Sequence, residues 1–95
     1  MGLFSKKPSG SEIDEKVLGL FNQRLLKTRI STSEFDTAYN SVLNELSAWA
    51  DANGLGDWKR STLMGSIEAV FRHQLNDYTT KQEINRYVNM ARDIF

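Results

Sequence analysis

The side chains able to do chemistry in this chain are few, and their spacing decides which chemistry is open to them. His73 is the only histidine and there is no cysteine. Thiolate nucleophiles, thiolate zinc sites and disulfides are therefore excluded, and a metal site built on one imidazole lacks its other ligands. His73 falls on the polar side of a helical pattern beside Arg72, so no serine has a base placed to activate it. None of the 12 acids lies inside an apolar stripe, where burial raises a carboxyl pKa toward acid catalysis. Asp14, at the edge of one, reads as a first-turn helix acid. Gly54-Leu55-Gly56 follows a helical pattern rather than a strand, which is the wrong context for a phosphate loop, and no EF-hand loop is present. The expectation is a protein that is not an enzyme and needs no cofactor or metal.

Three groups of residues suit recognition instead. Trp58, Lys59 and Arg60 place an aromatic beside two bases, the composition of a binding hot spot. The competing reading, and the expected one, is a tryptophan lid over the end of the core near Leu55 and Trp49. Asn40, Ser41, Asn44 and Ser47 form a small, uncharged row on the outer side of a helix where Glu, Lys and Arg are usual. The plain reading is ordinary solvated surface; the alternative is a contact face, because small side chains cost little to desolvate and let another helix approach, and of the candidate working surfaces this row is preferred. Leu3 and Phe4, with Lys6 and Lys7, form an N-terminal docking or membrane-touching tag at most; so few apolar side chains and bases give weak, reversible attachment. Ala50-x-x-x-Gly54 resembles the turn of a helix-turn-helix, but Asn53 and Arg60 stand where that motif buries apolar residues.

The elements that must carry these residues are helices. Between Ser31 and Gly54, Phe35, Ala38, Tyr39, Val42, Leu43, Leu46, Trp49 and Ala50 step by threes and fours and fill an arc of roughly 140°. Ser31 with Glu34 makes a capping box, and Ile30 with Phe35 a hydrophobic staple. Gly54 is placed to close this helix in the left-handed conformation, with Leu55 folding back on Ala50 or Trp49. The helix before it starts at Ser9 or Ser11, presents Ile13, Val17, Leu18, Leu20, Phe21 and Leu25 on one face, and ends near Thr28. Gly19 lies on its polar side. The third helix, with Asp57 as cap, presents Leu63, Met64, Ile67, Val70, Phe71 and Leu75, with Gln74 inside that face near its end. Thr80 and Glu83 box the start of the last helix. Its face of Ile84, Tyr87, Val88, Ala91, Ile94 and Phe95 predicts a docked final turn.

The totals bound the rest. A chain of 95 residues is one domain: a flexible tail over residues 1–10 and a helical domain over 11–95. Basic and acidic residues cancel, 12 against 12, so no global field draws it to nucleic acid or anionic lipid. No apolar run approaches the ~18–20 residues of a membrane span, and the lack of cysteine fits a reducing cytoplasm. The predicted fold is all-α, a four-helix up-down-up-down antiparallel bundle, with a three-helix core crossed by a fourth helix as the alternative. The predicted function is a small protein-binding module, such as an adaptor, inhibitor or immunity-type protein, whose partner is another protein or itself. The alternatives are a DNA-binding helical domain and a membrane-surface accessory protein using Leu3 and Phe4.

Overall fold

The computed structural model describes residues 8–25, 32–74 and 81–95. They form four helices: α1 (Gly10–Arg24), α2 (Thr32–Ala52), α3 (Asp57–Gln74) and α4 (Lys81–Ile94). Among the described residues there is no strand, and no helix is long and apolar enough to cross a membrane. The tag residues Leu3, Phe4, Lys6 and Lys7, the Ser31 cap with its Ile30 staple, Leu75 and the Thr80 cap lie outside the described residues.

Helix ends follow local chemistry. Of the two candidate caps for α1, Ser9 is the one used: its hydroxyl accepts from the Glu12 amide at 3.2 Å, and the Glu12 carboxylate accepts from the Ser9 amide at 3.3 Å. Pro8, just before it, is buried. The helix stops at Arg24, earlier than the expected Thr28, because the backbone of Leu25 leaves helical geometry at φ −121°. Gly54, at φ 62°, closes α2. Its amide donates to the Asp51 carbonyl at 3.1 Å and the Leu55 amide donates to Ala50 at 3.0 Å, the paired bonds of a Schellman closure. Leu55 is thereby returned to the core. Asp57 is not the cap of α3. The carbonyl of Gly56 accepts the first helical bond, from Arg60 at 2.9 Å, and Asp57 stands in the first turn, where a carboxylate suits the positive helix end.

Side-chain pairs set the directions. Asp14 accepts from Ser66 and Phe21 packs on Phe71, so α1 and α3 run parallel. Arg24 reaches Ser41 and Glu45 while Lys16 lies over Trp49, so α1 and α2 are antiparallel. Phe71 with Tyr87 and Glu68 with Arg92 make α3 and α4 antiparallel, and Tyr39 with Phe71 and Asp51 with Arg60 do the same for α2 and α3. This is the up-down-up-down bundle. The most extensive packing is α1 along α3 rather than between helices adjacent in the chain.

The centre is aromatic. Phe21, Phe35, Tyr39, Phe71 and Tyr87 bring rings from all four helices within 5.0–6.3 Å, centroid to centroid, in the edge and offset geometries that rings favour. Ile13, Val17, Leu43, Leu46, Leu63 and Ile67 fill the bundle around them. Several stripe residues are less buried than their spacing implies. Phe35 and Trp49 are half-buried, while Leu18 and Ile94 are each 39 % exposed. All four stand toward a stripe edge or a helix end, where the neighbouring helix covers only one side. The final turn is therefore docked through half-buried Phe95 and not through Ile94. Gln74 is exposed at the end of α3.

Candidate functional site

The corner between α2 and α3 is assembled from its backbone outward. The closure at Gly54 buries Leu55 and starts α3 two residues later. One turn into α3, Arg60 reaches back across the corner. Its Nε donates to the Leu55 carbonyl at 2.9 Å and its Nη2 pairs with Asp51 Oδ1 at 2.5 Å. Arg60 is thus a clasp that satisfies the Leu55 carbonyl in the turn between α2 and α3 and ties it to Asp51 at the end of α2. Trp58, two positions earlier, is carried roughly 200° round the helix from Arg60 and is 84 % exposed.

The lid expected of Trp58 does not form. Leu55 is buried by its own turn, and Arg60 lies against its carbonyl. Trp49, the other residue the lid was to cover, instead has the Lys16 ammonium 6.0 Å from its ring centre. Lys59, beside Trp58, is half-buried. Among residues whose side chains are described, it is the one lysine or arginine with neither a carboxylate nor a ring as partner.

The neutral row of α2 is less uniform than its composition. The Asn40 amide donates to the Asp36 carbonyl at 3.0 Å. Ser41 accepts from Arg24 Nη1 at 3.0 Å, and Arg24 Nη2 pairs with Glu45 at 2.5 Å, so Ser41 belongs to the α1–α2 seam. Ser47 is half-buried and Asn44 is exposed. His73 is exposed at the far end of α3. Among the described residues no cluster of three His, Asp or Glu side chains is close enough to hold a metal ion.

One polar constellation is not foreseen by spacing. The buried Tyr39 hydroxyl donates to the Tyr87 carbonyl at 2.6 Å. The Tyr87 hydroxyl donates to Asp36 Oδ1 at 2.5 Å, Arg86 reaches the same oxygen at 3.4 Å, and the Arg86 guanidinium lies 4.4 Å from the Tyr87 ring centre. Burial, followed by the nearness of Tyr87, raises the pKa of Tyr39. Burial and then the Asp36 carboxylate, which accepts the hydroxyl proton, push Tyr87 up to about 12. The signal in the sequence is two tyrosines set within apolar stripes, since a buried hydroxyl needs a partner. The chain matches no protein-family model, no curated protein and no solved structure, so its candidate site rests on this geometry.

Proposed function

We propose that this chain is a small non-catalytic protein-binding module that uses Trp58 as its anchor. The observation that carries this reading is the 84 % exposure of Trp58 on a corner stiffened by the Arg60 clasp. An exposed indole on a rigid helix turn serves binding well, because little conformational freedom is lost when it is covered. Lys59 supplies the adjacent charge and tunes salt dependence. Asn44, exposed on the outer side of α2, is the comparison surface. The cysteine-free chain suits a reducing cytoplasm, the location this reading assigns.

The test is affinity capture from the native cell extract with immobilised wild type, Trp58→Ala and Asn44→Lys. A protein retained by wild type and Asn44→Lys but released by Trp58→Ala supports the corner. The opposite pattern moves the site to the outer side of α2.

A further inference from the structure

We infer that in the free protein Trp58 is covered by Leu3 and Phe4 of the same chain, which a partner must displace. The inference rests on the reading of Trp58 as an anchor and adds how that anchor is guarded. Among the described residues three large apolar side chains are exposed: Leu18 and Ile94, each 39 %, and Trp58, 84 %. Leu3 and Phe4 are large apolar residues that no helical stripe accounts for, in the seven residues that precede Pro8.

Reach selects Trp58 from the three. Pro8 is buried, so the segment before it starts from a fixed point on the bundle. The contact of Asp14 with Ser66 sets the level of that point, because α1 and α3 run parallel. Pro8 lies six residues before Asp14 and Trp58 eight before Ser66, so the two are roughly level at ~1.5 Å per helical residue. Packed helices lie ~8–10 Å apart, and Trp58 is turned only about 80° round α3 from Ser66. Its Cα is therefore on the order of 10 Å from Pro8. Phe4, four residues before Pro8, reaches about 14 Å at ~3.3–3.6 Å per extended residue. Leu18 stands about 15 Å further along α1, beyond Phe4 at full stretch. Ile94 belongs to α4, which Glu68 meets through Arg92 on a flank of α3 roughly 200° from Ser66.

The tether also decides between this occupant and a separate molecule. Asp57 and Lys59 flank the indole with opposite charges, so charge favours neither. Ser5, Lys6 and Lys7 hold Leu3 and Phe4 at a local concentration that is roughly millimolar or higher. A contact of two apolar side chains on one indole, too small for a stable interface between molecules, is closed at that concentration. It removes the indole and both side chains from water in the ring-on-ring geometry that aromatics favour.

The full chain carrying Trp49→Phe, in which Trp58 is the only indole left, is quenched with acrylamide beside the same chain carrying Leu3→Ser and Phe4→Ser. The two serines should raise the quenching constant by about twofold or more, the change for a contact closed at least half the time, with helicity unchanged. Nuclear Overhauser contacts from the Trp58 ring to Leu3 or Phe4 in the wild-type chain give the same answer without any substitution. Equal quenching and no such contacts overturn the inference and leave Trp58 an open anchor. Protection that grows with protein concentration assigns the segment to a second copy and also overturns it. In affinity capture, Leu3→Ser with Phe4→Ser should retain more of a Trp58-dependent partner than wild type; equal retention shows that the segment does not guard the anchor. Protection by Leu3 and Phe4 with no Trp58-dependent capture supports the contact and removes the anchor reading instead.

Discussion

The hydroxyl of Tyr39 donates to the main-chain carbonyl of Tyr87 at 2.6 Å, tying the middle of α2 to α4 inside the aromatic centre of the bundle. Tyr87 then spends its own hydroxyl on Asp36, one turn back along α2. The two bonds run in opposite senses between α2 and α4 and, with the packing of Phe35 and Tyr39 on the Tyr87 ring, fix the height of α4 against α2. Tyr39→Phe keeps the ring and removes the bond. It should cost about 0.5–1.5 kcal/mol of stability in urea unfolding, with helicity unchanged. An unaltered midpoint would show that the bond does not hold the helices together.

The same pair sets an alkaline limit. Both hydroxyls have folded pKa values raised above their ordinary value, Tyr87 to about 12, so the folded state keeps protons that the unfolded state releases. Their contribution is complete below the unfolded tyrosine pKa of about 10 and is lost as pH rises from there through about 12. Unfolding free energy should fall steeply over that window, and tyrosinate absorbance from these two rings should appear together with loss of helicity. Tyr87→Phe should make the fall shallower. Ionisation of both rings in a fully helical protein would contradict the prediction.

Leu46 is fully buried, and Leu46→Ala should cost about 2–5 kcal/mol through lost transfer energy and the cavity left behind. Trp49, three residues on, is half-buried under Lys16. Despite its larger side chain, Trp49→Ala should cost less than Leu46→Ala. Denaturant midpoints of the two variants give the order.

Two glycines should respond in opposite directions. Gly65 lies within α3 and an added Cβ meets nothing within 4 Å, so Gly65→Ala should stabilise by up to about 1 kcal/mol. Gly54 holds φ 62°, where a side chain clashes with the backbone, so Gly54→Ala should destabilise by about 1 kcal/mol. Thermal unfolding of both variants, monitored by helicity, reads the sign directly.

Much of the fold is legible in short stretches of the chain. The Ser9–Glu12 box, the Gly54 closure and the return of Leu55 are contacts between residues three to five apart, so local spacing predicts them and the structure contains them. The apolar steps through Tyr39, Val42, Leu43 and Leu46 likewise predict the buried side of α2. The candidate site was less legible. An aromatic followed by two bases describes a lid and a knob equally well, and composition alone does not separate a clasping arginine from a free one.

What the sequence by itself determined is therefore four amphipathic helices, the Ser9 cap, the Gly54 closure and the side each helix turns inward, because periodicity and capping act within a turn or two of chain. Tertiary structure alone decided that α1 lies along α3, that Asp36 receives the hydroxyl of Tyr87, that Arg60 closes the corner, and that Trp58 faces outward. Each of these depends on the distance between elements far apart in the chain. A stripe records which side chains seek cover, while the length and position of the neighbouring helix decide how far each one is covered.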